Sequence, residues 1–206
     1  MTPKVLTRAE RQEQTREQLL DAAAQVFARR GYHEASVEEI ASEAGFSTGA
    51  VYSNFDGKEE LFLALADREV EKQVAEIRAV AEDVEAGGEA AAEAGRRFQE
   101  LLKRDRDWPL LFYEFWSFGV RSARIQGEFA KRRQAVQEAL AETLDRLAAA
   151  LDFELRFPAP MLATAIGATL NGLAFERAAD PGSLTDEVVG EFVAAILGCS
   201  IAVGEH

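Results

Sequence analysis

The sequence predicts an all-α fold of about nine helices, and three observations carry that expectation. Apolar residues recur at helical spacing along almost the whole chain, with no convincing period-two strand. Glycine- and proline-bearing breaks, such as Glu85-Ala86-Gly87-Gly88 and Asp180-Pro181-Gly182-Ser183, fall between the periodic segments. Ser36 to Phe62 reads as two short helices joined by a glycine turn, followed at once by a third helix start.

Taken in order, Met1 to Val5 is an arm, and a first helix runs from about Thr7 to Arg30. Its apolar stripe is Leu19, Ala23, Val26 and Phe27, and Gly31 stops it. Ser36 and Glu39 form a capping box for the next helix, which carries Val37, Ile40, Ala41 and Ala44 on one face. Gly45 ends that helix where the chain needs φ > 0. Ser47 caps the short helix of Thr48, Gly49, Ala50, Val51 and Tyr52. Asp56 with Glu59 reads as a second capping box, opening a helix from about Lys58 into the 80s. A helix over about Glu89–Arg104 follows, then an aromatic-rich one begun by Asp107-Trp108-Pro109, with proline suited to a first turn. A long amphipathic helix runs from about Ile125 to Leu151, and residues 153–160 form a loop. Two apolar helices, about Met161–Ala178 and Leu184–Val203, complete the chain. Domain boundaries are expected at 1–57, 58–86 and 87–206.

A helix, a tight turn and a short second helix form a helix-turn-helix, whose second helix enters the DNA major groove. Net charge is −13, which argues against a surface that binds nucleic acid everywhere. The distribution matters more than the sum, because Ala44 to Phe55 holds no carboxylate while acids crowd both sides. Arg8, Arg11 and Arg16 flank this acid-free stretch and could reach phosphates. Thr48 and Ala50 are small enough for base edges, Gly49 admits close approach, and Tyr52 can offer its hydroxyl to a phosphate.

Composition excludes other classes. Apolar residues make up 48%, ample for a core, yet no run reaches the roughly 20 a membrane helix needs. A charged N-terminus without an apolar signal core points to a cytoplasmic location. One cysteine, Cys199, rules out an intrachain disulfide. Two histidines and no metal cluster, phosphate-cradling loop or nucleophile motif argue against an enzyme and against a metal or cofactor.

Thr15-Arg16, Gly31-Tyr32, Ser36-Val37, Ile40-Ala41, Ala44 to Ser47, Gly49, Val51-Tyr52, Phe55, Lys58 and Glu60-Leu61 together resemble the TetR family of bacterial transcriptional regulators. The resemblance covers about residues 10–65. It departs from the family at Ser53-Asn54, where many relatives carry a His-rich pair. It implies DNA contacts at Ser36, Ser47, Thr48, Gly49, Ala50, Tyr52, Asn54 and Lys58. It also implies a ligand-binding and dimerising remainder, a double-stranded palindromic operator, a homodimer, and a small-molecule effector that releases a repressor. For the dimer the last two apolar helices are expected to pair, through Ile166, Leu170, Leu173, Val189, Phe192, Val193, Ile196 and Leu197. For the ligand, the aromatic segment 108–118 offers Trp108, Phe112, Tyr113, Phe115 and Trp116, with Asn171 and Phe175 on the helix after Pro160. The competing reading of these aromatics is plain core, and that of the whole chain is a ligand-independent architectural or protein-regulated DNA binder.

Overall fold

A computed structural model describes residues 7–85, 107–150, 152–180, 182, 184–185, 188 and 201–202. Among them are seven helices: α1 (Arg8–Glu34), α2 (Val37–Glu43), α3 (Thr48–Tyr52), α4 (Lys58–Glu85), α5 (Asp107–Gly119), α6 (Ala123–Ala150) and α7 (Ala159–Ala179). The chain divides into two compact units, Met1–Arg68 with Leu111–Val120, and Glu69–Leu110 with Arg121–His206.

In the first unit α1 begins at a Thr7 cap. The Glu10 N–H donates to Thr7 Oγ1 at 3.2 Å, and the Thr7 N–H donates to Glu10 Oε2 at 2.7 Å. Gly31, at φ 74° and ψ 172°, breaks the helix and turns Tyr32 inward. The apolar faces of α1, α2 and α4 meet at Leu19, Val26, Phe27, Ile40, Leu61 and Phe62, all essentially buried. Phe115 joins them from α5. Its ring stacks on Phe62 with centroids 4.1 Å apart and meets Tyr32 edge-on at 4.7 Å. Burial raises the Tyr32 hydroxyl above the usual tyrosine pKa.

The second unit is built on α6 and α7. Ala139, Leu140, Ala141 and Leu144 pack against Ala159, Leu162, Ala163 and Ile166, with Ile77 of α4 closing the cluster. Arg132 is buried on α6 and held by Glu128, whose carboxylate accepts at 2.6 Å and whose backbone carbonyl accepts at 3.0 Å. The hydrogen bond from Arg132 is the main reason the Glu128 carboxyl sits below the usual range.

Two expectations change here. The helix expected to continue to Val203 does not include Ile201–Ala202 (β2), which pair antiparallel with Glu154–Leu155 (β1). Asp152, at φ 53°, redirects the chain after α6 toward the extended Glu154–Leu155, and β-branched Ile201 suits the matching strand. An apolar run alone cannot separate these outcomes. Ile166 is fully buried in the core of its own chain, so it has no surface to give to a partner. Leu170 packs half-buried against the same core and Leu173 is half-buried too. The exposed face of α7 instead carries Met161, Ala165, Ala168, Gly172 and Phe175. Val189, Phe192, Val193, Ile196 and Leu197 lie outside the described residues.

Candidate nucleic-acid interface

The turn between α2 and α3 closes through three backbone bonds. The Ala44 N–H donates to Ile40 O at 3.0 Å, the Gly45 N–H to Ser42 O at 3.1 Å and the Phe46 N–H to Ala41 O at 2.9 Å. With Gly45 at φ 73° this is a Schellman ending, which satisfies the last carbonyls of α2 and reverses the chain. Each helix starts on a serine. Ser36 Oγ accepts from the Glu39 N–H at 3.1 Å, and Ser47 Oγ accepts from the Ala50 N–H at 3.2 Å. Val51 and Phe55 anchor the back of α3 in the core.

The front of α3 presents Gly49 and Tyr52 to solvent, with Thr48 and Ala50 half-buried beside them. A side-chain carbon placed at Gly49 would meet nothing nearer than Ser47 Oγ at 3.7 Å, ordinary van der Waals contact, and its φ is unexceptional. The fold therefore does not require glycine there. Two acids of α2 are paired with α1, Glu43 with Arg29 at 2.6 Å and Glu39 with Arg30 at 3.2 Å. Exposed pairs of this kind add little stability, and each offsets one negative charge on α2.

Three side chains expected to face DNA are engaged within the protein. Arg16 donates to Asn54 O at 2.9 Å and lies over the Phe55 ring at 4.2 Å, tying α1 to the chain just past α3. Asn54 Nδ2 donates to Ala50 O at 2.8 Å and closes the end of α3. Lys58 departs furthest from expectation. Its ammonium donates to the carbonyls of Tyr32, His33 and Ala35 at 2.7, 3.1 and 2.9 Å and lies over the Tyr32 ring at 4.6 Å. All three protons are used, which corrects the assignment of this lysine to a phosphate. Burial lowers its pKa, opposed by the negative charge of Glu114. Lys58→Met should cost about 2 kcal/mol of stability by stranding those carbonyls. It should leave the slope of log affinity against log salt unchanged in a titration with duplex DNA, whereas a slope smaller by about one unit would return Lys58 to the phosphates. The expected Asp56–Glu59 box is also displaced, since the Asp56 N–H donates to the Glu60 carboxylate.

The residues expected to line a ligand site fall into both units. Phe115 is core of the first, Phe112 is half-buried, and Tyr113 and Trp116 are exposed on α5. Asn171 and Phe175 are exposed on α7 of the second unit. Trp108 lies in the first turn of α5, its side chain outside the described part. Among the described residues no group of three or more His, Cys, Asp or Glu could hold a metal, and no helix is long and apolar enough to cross a membrane.

Sequence reasoning missed the internal roles of Arg16 and Glu114. Glu114 Oε1 accepts the His33 N–H at 2.9 Å across 81 residues of chain. No sequence signal announces such a pair, because its partner is a backbone group.

Residues 19–65 match the model of the bacterial regulatory proteins, tetR family. The HTH-type transcriptional activator FasR of Mycolicibacterium smegmatis is 34% identical over 102 residues, which are 50% of this chain and 47% of that protein. The chain thus spans less than half the length of the curated relatives it matches. A transcriptional regulator of the same family from Mesorhizobium loti superposes with a TM-score of 0.73 at 19% identity, covering 96% of this chain and all of that one. FadR from Bacillus subtilis, solved with stearoyl-CoA, superposes with a TM-score of 0.64 at 20% identity, covering 88% and 96%. At these identities the superpositions speak for the fold alone.

Proposed function

We propose that this chain, whose residues 19–65 match the model of the bacterial regulatory proteins, tetR family, is a sequence-specific regulator of transcription, a homodimeric repressor of a palindromic operator released by a small molecule. The observation that carries the DNA reading is the front of α3. Gly49 and Tyr52 face outward, with Thr48 and Ala50 half-buried beside them, on an acid-free helix capped at Ser47 whose back is locked in the core. One such helix reads only a few base pairs, so useful specificity needs two copies about one helical turn apart. The exposed face of α7 supports pairing, since Met161, Ala165, Ala168, Gly172 and Phe175 alternate four- and three-residue steps, the spacing of a seam between helices. Residues 189–197 are the second part of that proposed interface. The stearoyl-CoA held by the Bacillus subtilis neighbour supports a small-molecule effector for this architecture. The exposed Tyr113 and Trp116 are the aromatic groups we assign to such a site.

Selection of random duplex DNA by the purified protein tests this reading. A palindromic winner is the expected result, and a protein that enriches no sequence at low salt overturns it. Thr48→Ala should shift the base preferred at one position of each half-site, by about 1–3 kcal/mol of discrimination. An unchanged winner from that variant would remove Thr48 from base readout.

A further inference from the structure

The corner between α1 and α2 is built from two ends. Gly31 to Ala35 must leave one helix and deliver Ser36 as the cap of the next, so its backbone carbonyls and N–H groups lack helical partners. Lys58 answers the carbonyls of Tyr32, His33 and Ala35. Glu114, a residue of α5, answers the His33 N–H. One cation and one anion from different helices therefore hold the two polarities of a single corner.

The lysine has an ordinary explanation, since helix-end carbonyls need donors. The glutamate does not. His33 is exposed, and water would satisfy its N–H at no cost to the fold. The carboxylate also lies tight against the corner it serves, since a Cβ on Gly31 would lie 2.6 Å from Glu114 Oε2. What the bond adds is position. Phe115, the next residue, is fully buried against Tyr32 and Phe62, so Glu114 and Phe115 grip the adjacent pair Tyr32 and His33 by polar and apolar contacts together. Three residues beyond His33, Ser36 starts α2, and α2 with its Gly45 turn presents α3.

We propose that Glu114 is a positioning residue for DNA binding. By accepting the His33 N–H it fixes the α1–α2 corner and so the direction in which the α2–α3 pair is presented. The proposal rests on the DNA-reading function above.

The test uses the full chain with Glu114→Leu, Glu114→Asp and Glu114→Gln. Hydrogen exchange at the His33 amide is read without DNA, and affinity for the selected duplex is read at several salt concentrations. Leu removes the acceptor, Asp keeps the charge but withdraws it by one methylene, and Gln keeps an acceptor oxygen at full reach. In Leu and Asp, His33 should exchange about tenfold faster and the duplex should bind about tenfold more weakly, the fold-change of one hydrogen bond to a charged group. The salt slope should match the parent, because no phosphate contact is lost. Gln should rescue both readings to within about threefold of the parent. Should the Leu variant fail to fold, the Asp variant still decides between the outcomes. Parental affinity alongside faster exchange, parental exchange in Leu and Asp, or a Gln variant as weak as Leu would each overturn the proposal. A parent that enriches no duplex is a failure of the functional reading, and it is distinguished by the exchange data, where an unprotected His33 in the parent overturns the clamp on its own.

Discussion

Gly49→Leu should fold as well as the parent and lose operator affinity about 100-fold, or ~3 kcal/mol. The structural half of that expectation comes from the empty space at the site. The nearest atom to an added Cβ is Ser47 Oγ at 3.7 Å, and the backbone there is helical rather than left-handed. Replacing a helical glycine with a good helix former should even raise stability by about 0.5–1 kcal/mol. The functional half comes from direction. Gly49 stands on the solvent face of α3 between Thr48 and Ala50, so a leucine there would hold the helix away from base edges in every sequence. Thermal melting and duplex titration of the same preparation check both halves. A Gly49→Leu protein that melts normally and binds its operator as tightly as the parent would remove α3 from the groove.

Gly31→Ala should be the costliest small change in the first unit, about 3 kcal/mol. Its φ of 74° with ψ of 172° lies in a region essentially closed to side-chain-bearing residues, worth about 1–3 kcal/mol alone. The new methyl would also push the Glu114 carboxylate off the His33 N–H. For a chain of this length, melting should fall by roughly 6–12 °C. Adding Glu114→Ala should recover only the steric part, so the two changes should be non-additive by about 1 kcal/mol. A parental melting temperature in Gly31→Ala would mean that the corner is not held as described.

Much of this architecture was legible because its signals are local. Ser36, Gly45 and Ser47 each mark a helix boundary through their own chemistry, and the α2 and α3 bounds follow from them. The apolar face Leu19, Val26 and Phe27 is likewise periodic and buried. What stayed hidden depends on atoms far apart in sequence. Lys58 looked like a free phosphate-binding cation, and only the folded corner shows three carbonyls around it. Phe115 looked equally suited to core or ligand, and packing on Phe62 decides for core. Ile166 and Met161 both belong to a helix apolar on every side, so periodicity could not say which faces inward. The strand at Ile201–Ala202 depends on its pairing with Glu154–Leu155, far away in sequence.

The two serine caps carry a consequence beyond ending helices. Each hydroxyl accepts an N–H with a lone pair, which leaves its own proton unassigned and free to be given away. Aspartate would stop the same helices about as well. It has no proton to offer and would set a full negative charge against a phosphate. Between caps of similar worth to the helix, the proposed DNA reading favours serine at Ser36 and Ser47, so aspartate at either position should pass a stability screen and fail a binding screen.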